Sequence, residues 1–396
     1  MIAVLAGLAS LLLTLAALVL AVPVVVFVLE IAAAFLPARR GLGAVPRPPL
    51  AVLVPAHDEA AGLAAPLGAM RAQLRAGDRL LVVADNCSDD TAAVARAEGA
   101  EVVERSHDTE RGKGYALAFG VAHLRAAPPP VLVIVDADCL LQPGALDALA
   151  AACVRWDAPV QARYLMTHAG PTGVNGRVAE FAWRVKNWVR PRGATRLGWP
   201  CQLTGSGMAF PWAQVEHAPL ASGSIVEDMQ LGLALARAGH APRFCEAAGV
   251  QSHFPSSAAA AATQRTRWEH GHLGMLSQHA VPMLRDALGR RDRRLFGLAL
   301  DLAVPPLALL MLLAFALWGL AGAAAWAGVG AVAWVAASGL LALLGAAVLA
   351  AWLRWGRSVL GPWDLLRAPW YALSKLGVYL RFWSRRQKDW VRTERK

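Results

Sequence analysis

Asp136-Ala137-Asp138 places two carboxylates one residue apart, directly after the apolar run Val131-Leu132-Val133-Ile134-Val135. Leaving a buried strand together, they can reach a hard cation, Mg2+ or Mn2+, that keeps positions open for diphosphate oxygens. A plain strand-to-helix turn with Asp as its cap has the same pattern. Asp85-Asn86-Cys87-Ser88-Asp89-Asp90-Thr91 reads either as a capped loop or as a strand tip whose Asp85 accepts hydrogen bonds from a nucleobase or ribose. Arg111-Gly112-Lys113-Gly114 opens a helix, where free backbone N–H groups and a lysine favour an anion such as a diphosphate; a Gly-containing turn with a solvated lysine is the alternative. In Ser224-Ile225-Val226-Glu227-Asp228 the carboxylates Glu227 and Asp228 either complement a helix dipole or supply a general base for an incoming hydroxyl.

Gln264-Arg265-Thr266-Arg267-Trp268 suits an interfacial helix, with Arg on phosphates and Trp in an aromatic belt. His270 and His272 have no Cys or third His at ligand spacing, so packing or surface roles are expected rather than metal binding.

The elements that must position these groups alternate. Leu50–Pro55, Arg79–Ala84, Glu101–Glu104 and Val131–Val135 read as strands. They are followed by helical patterns over Glu59–Leu74, Asp90–Glu98, Lys113–Arg125 and Pro143–Val154. Four strand–helix units in a row predict an α/β domain with a largely parallel sheet, whose ligands bind at the carboxyl ends of the strands. Three of those ends are acidic, which suggests a single site. Neither G-x-G-x-x-G after the first strand nor G-x-x-x-x-G-K-[ST] is present, against a dehydrogenase or a P-loop enzyme.

The chain of 396 residues is 56% hydrophobic and 17% charged, too apolar for an ordinary soluble protein. Ile2 to Leu29 is uncharged and long enough for one membrane span. Leu302 to Leu353 is long enough for two, with a turn expected in Gly319–Gly328. Arg39 and Arg40 follow the first span and Arg354 and Arg357 the third, which by the positive-inside rule puts the middle domain and tail in the cytoplasm and the N-terminus outside. Leu365 to Trp383 reads as an interfacial amphipathic helix. Of the net charge of +11, +8 lies in Arg354 to Lys396, where eleven basic residues face Asp364, Asp389 and Glu394. That distribution points to an anionic membrane surface and away from nucleic acid. Cys87, Cys139, Cys153, Cys201 and Cys245 form no C-x-x-C pair and suit a reduced cytosolic compartment.

In order along the chain, Val54-Pro55-Ala56-His57-Asp58-Glu59, the Asp85–Thr91 loop, Asp136-Ala137-Asp138, Val226-Glu227-Asp228 and Gln264-x-x-Arg267-Trp268 resemble the membrane-bound members of glycosyltransferase family 2. Cellulose, hyaluronan and poly-N-acetylglucosamine synthases and ceramide glucosyltransferase belong to this group. The resemblance implies a GT-A fold and inverting transfer from a nucleoside-diphosphate sugar with Mg2+ or Mn2+. It implies nucleoside contacts at Glu59 and Asp85 and a further nucleotide contact at Lys113. Asp136 and Asp138 would form the cation and diphosphate site, and Asp228, beside Glu227, would be the base, with Val226 in place of the usual Thr or Ser. Gln264, Arg265 and Arg267 are expected near the diphosphate and Trp268 under the acceptor sugar. Gly205-Ser206-Gly207 is similar to the small-residue loop that lets donor and acceptor approach closely.

The expected organisation is a membrane helix over 1–37, a GT-A domain over 38–262, interfacial helices over 263–295, a helix pair over 296–353 and a basic amphipathic tail over 354–396. The expected function is transfer of a sugar, from a UDP-sugar, to a lipid-linked or polysaccharide hydroxyl in envelope or exopolysaccharide synthesis at the plasma (inner) membrane, alongside a separate export subunit. An inactive scaffold subunit on the same fold is the rival reading.

Overall fold

The computed structural model describes residues 1–37, 46–255 and 257–384. Arg39, Arg40 and the last residues of the basic tail, 385–396, lie outside them. Among the described residues the chain divides into two compact units: Pro37–Gly170 with Gly198–Gly271, and Met1–Leu36 with Pro171–Leu197 and 272–384.

The first unit is built on an eight-stranded sheet. Its strands are β1 (Leu50–Ala56), β2 (Arg79–Asp85), β3 (Glu101–Arg105), β4 (Val131–Ile134), β5 (Leu140–Leu141), β6 (Val160–Thr167), β7 (Met208–Pro211) and β8 (Arg243–His253), in the order β3-β2-β1-β4-β7-β6-β8-β5. β3, β2, β1 and β4 run parallel. The interiors of β2, β1 and β4 are buried apolar runs, as a sheet covered on both faces requires, whereas the edge strand β3 is short, polar and half-exposed. Beyond β4 the sheet becomes mixed: β7 is antiparallel to both β4 and β6, β8 returns parallel to β6, and β5 is antiparallel to β8. The largely parallel expectation thus describes the first half of the sheet, because strands of two to four residues such as β5 and β7 carry too little pattern to be read. Leu53, Leu81 and Leu132 pack with Leu117 and Val121 of the helix Lys113–Leu124 to form the core beneath the parallel half.

Two local expectations shift. The helix expected over Glu59–Leu74 occupies Ala64–Arg71. Pro66 has no N–H to donate and fits only the first turn, so the helix cannot extend back to Glu59. Asp90 stands at the N-cap of the helix Thr91–Ala97 without a side-chain cap bond, and Asp89 Oδ1 instead accepts from the Thr91 N–H at 3.0 Å.

Among the described residues of the second unit, three helices are long and apolar enough to cross a membrane: Val4–Ala34, Leu307–Trp326 and Val332–Gly356. The turn expected in Gly319–Gly328 falls at 327–331 instead, where Gly328 and Gly330 take positive φ. The alanines of 321–325 are strong helix formers and carry the helix past Gly319 and Gly322. Residues 171–197 also belong to this unit, as two helices, Val174–Arg184 and Arg190–Leu197, joined by the π-turn Val185–Val189. Arg190 donates from Nε to Glu30 Oε2 at 2.6 Å and from Nη2 to Asp301 Oδ1 at 2.7 Å, and all three side chains are buried. A buried charge left without its partner is strongly destabilising, so the three groups hold one another in place. Leu365–Trp383 forms two helices, Pro362–Ser374 and Leu376–Ser384, with Trp363, Leu366, Trp370 and Leu380 exposed.

Candidate active site

The parallel half of the sheet brings the acidic strand ends together. In register, Ala56 of β1 stands beside Ala84 of β2, and Leu53 of β1 beside Ile134 of β4. Residues that follow those strands therefore open into one cleft of about 210 Å3. Glu59, Asp85, Lys113, Asp136, Asp138 and Arg267 all line it. Gln264, Arg265 and Trp268 do not, and Gln264 is buried. His270 and His272 are buried side chains, in keeping with packing roles.

Lys113, the first residue of its helix, reaches back into the site. Its Nζ lies 2.5 Å from Asp136 Oδ1, donates to the Gly205 carbonyl at 2.6 Å and stands 3.8 Å from Glu227 Oε1. Burial disfavours the ammonium, but Asp136, Glu227 and Asp228 outweigh it and hold Lys113 above the usual lysine range. Burial, reinforced by Asp228 and Asp136, pushes the Glu227 carboxyl up to about 7 against the pull of Lys113. Glu227 and Asp228 occupy the first turn of the helix Glu227–Arg237, and Asp228 Oδ1 accepts from the Met229 N–H at 2.8 Å.

Gly205-Ser206-Gly207 is the joint of the site. A Cβ on Gly205 would lie 3.3 Å from Asp228 Oδ2, 3.5 Å from Lys113 Nζ and 3.9 Å from Asp136 Oδ2, so this one position marks where the three charged groups converge. Its φ of +92° is also one that side chains avoid. Ser206 is fully buried and its Oγ accepts from the Asp136 N–H at 3.1 Å. The loop is held from below by Gln161 of β6, whose Oε1 accepts from Thr204 N–H at 2.9 Å and whose Nε2 donates to the Ser206 carbonyl at 2.8 Å. Gln161 carries no motif; a polar residue set between the apolar Val160 and Ala162 is the trace it leaves in the sequence.

Asp85 is held as firmly. Its Oδ1 accepts from Arg105 Nη1 at 2.8 Å and from Asn86 Nδ2 at 3.1 Å. Glu59 is set by its own N–H, which donates to Thr91 Oγ1 at 2.8 Å. Arg105, at the end of β3, also went unseen in the sequence, since a lone arginine closing a short polar strand has no distinguishing pattern.

Asp136, Asp138 and Cys139 each place one donor atom within 4.8 Å of the others. Burial, then the charges of Asp138 and Asp136, push the Cys139 thiol well up, and its soft sulfur is a poor match for a hard cation. The two carboxylates are the oxygen donors that Mg2+ or Mn2+ prefers, and the donor set fits either ion.

The family model described as "Glycosyltransferase like family 2" matches residues 46–271, more than half of the chain, and the chain belongs to that family. Among solved structures, a mannosyltransferase of Pyrobaculum calidifontis in complex with GDP-Man and Mn2+ is similar over 96% of this chain and 99% of its own, with 20% identity and a TM-score of 0.54. The α/β unit is thus a GT-A domain, flanked in sequence by apolar helices. Uncharacterised glycosyltransferases of Mycobacterium tuberculosis and Mycobacterium bovis are 41% identical over 85 residues, 22% of this chain. That match spans only 36% of those relatives' own length.

Proposed function

We propose that the protein is an inverting, metal-dependent transferase that moves a sugar from a UDP-sugar to a hydroxyl of a lipid-linked or polysaccharide acceptor at the plasma membrane, in envelope or exopolysaccharide synthesis, working beside a separate export subunit. The observation that carries this reading is the meeting of Lys113, Asp136 and Asp228 around Gly205, at the edge of a cleft rimmed by Asp85 and Asp138. Glu59 and Asp85 hold the nucleoside. Lys113 and Arg267 hold the diphosphate, with Gln264 and Arg265 supporting from their helix. Asp136 and Asp138 would hold Mg2+ or Mn2+, which when bound stabilises charge on the departing diphosphate. Asp228 takes the proton of the attacking hydroxyl on the opposite face of the sugar, Glu227 supports it, and Trp268 lies under the acceptor sugar. The Gly205–Gly207 loop leaves room for donor and acceptor to meet.

The test is to incubate the full-length protein, in detergent or nanodiscs, with a panel of nucleotide sugars and Mn2+ and to record free nucleotide. Release from one donor, abolished by Asp228→Asn, is expected. No release from any donor by folded protein, with acceptor-containing membranes present, would move the assignment to an inactive scaffold.

A further inference from the structure

Arg105 stands behind the nucleoside end of the cleft and makes three hydrogen bonds, one to the end of β2 and two to the loop before the helix Lys113–Leu124. Nη1 donates to Asp85 Oδ1 at 2.8 Å and to the Glu110 carbonyl at 2.8 Å, while Nη2 donates to Glu110 Oε2 at 2.9 Å. Its guanidinium carbon also lies 5.6 Å from the centre of the Tyr115 ring, and the side chain is 9% exposed. A planar, charged fork with fixed donors is the one side chain that can satisfy this set of partners at once.

Two consequences follow for Asp85. Its Oδ1 is taken by two N–H donors, Arg105 and Asn86, while Oδ2 receives no hydrogen bond from any described residue. Asp85 lines the cleft, so the oxygen available to a base there accepts and does not donate. Such an oxygen rewards a base edge that offers a ring N–H, as the uracil N3–H does. It meets the lone pair of cytosine N3 unfavourably, and mismatched buried hydrogen-bonding groups are the strongest source of small-ligand discrimination. The other hand of Arg105 fixes Glu110, next to Arg111-Gly112-Lys113, and so sets the start of the diphosphate-binding helix from the same guanidinium.

We propose that Arg105 is the positioning residue that sets nucleobase selectivity, by pinning Asp85 Oδ1 so that Oδ2 faces the base as a fixed acceptor. The inference rests on the donor reading above. It does not require Arg105 to touch the nucleotide.

UDP and CDP differ only at the base edge that Asp85 would read, and serve as the probes. Their affinities are measured by calorimetry on the full-length protein with Mn2+, with thermal unfolding as the check on folding. Wild-type protein is expected to bind UDP about tenfold or more tighter than CDP. Arg105→Met should bring the two affinities within about threefold of each other, chiefly by weakening UDP, and Arg105→Lys, which keeps charge without the fork, should fall between. Glu110→Gln should weaken both nucleotides alike and leave their ratio unchanged.

A ratio unchanged in folded Arg105→Lys and Arg105→Met would overturn the proposal, as would a wild-type ratio near one with UDP bound, or a ratio that collapses in Glu110→Gln. If wild-type protein binds no nucleoside diphosphate at all, the donor reading itself falls, and this inference with it.

Discussion

Lys113 Nζ lies 2.5 Å from Asp136 Oδ1 and 2.6 Å from the Gly205 carbonyl, so a single ammonium ties a helix start, a strand end and a glycine turn to one another. Replacing it with methionine leaves Asp136 and Glu227 as adjoining carboxylates with no counter-charge. Because both partners retain some solvent contact, Lys113→Met should cost about 1–2 kcal/mol of stability, read by denaturant unfolding. It should also weaken UDP binding. An unchanged unfolding midpoint would mean that the ion pair is solvated away.

The carboxylates after β4 make metal dependence the next expectation. Excess EDTA should stop nucleotide release, and Mn2+ should restore it. Asp138→Ala should remain folded, bind Mn2+ at least about tenfold more weakly by electron paramagnetic resonance, and lose transfer. Full turnover in EDTA would exclude the cation site.

Asp228→Asn keeps the size of the side chain and its bond to the Met229 N–H, but cannot take a proton. Nucleotide affinity should be within twofold or so of wild type while transfer falls by about 10²–10⁴-fold. Near-normal transfer would hand the role to Glu227.

Glu227, with its carboxyl raised to about 7 from an ordinary 4.5, binds its proton more tightly folded than unfolded. Its contribution to stability is therefore complete below about pH 4.5 and disappears as pH rises through about 7. Relative to Glu227→Gln, metal-free wild-type protein should lose unfolding free energy across that window. Parallel stability profiles for the two proteins would show that the carboxyl is not raised.

The charges flanking the apolar helices predict a cytoplasmic C-terminus and an external N-terminus. A fluorescent reporter that matures only in the cytoplasm should light up when fused after Lys396, and an export-dependent phosphatase there should stay silent. The reverse pattern would overturn the orientation.

Strands β1, β2 and β4 of the GT-A sheet were legible because they are continuous apolar runs ending in polar residues. Arg79–Ala84 and Val131–Val135 were placed to within one residue. β5 and β7 were not, since their partners are chosen by tertiary pairing over long separations. The helices of 171–197 left no reading of their own: Val178, Phe181, Val185 and Val189 have the spacing of any amphipathic helix, and spacing does not say which unit they face. Within the site, acidic strand ends and Lys113 announced themselves by position after a run or before a helix. Gln161 and Arg105 act through contacts 43 and 20 residues away, respectively, and no local pattern encodes those distances.

The ion pair between Arg190 and Glu30 spans 160 residues of sequence. At a translation rate of about 5–20 residues per second, the arginine is made roughly 8–32 s after the glutamate. The apolar helix carrying Glu30 is thus made with an acidic side chain whose partner does not yet exist, near its end at Ala34. Folding of this first helix into its final place therefore has a waiting period set by the ribosome, and a chain terminated before Arg190, which never meets Glu30's partner, should be the form most readily cleared by proteases.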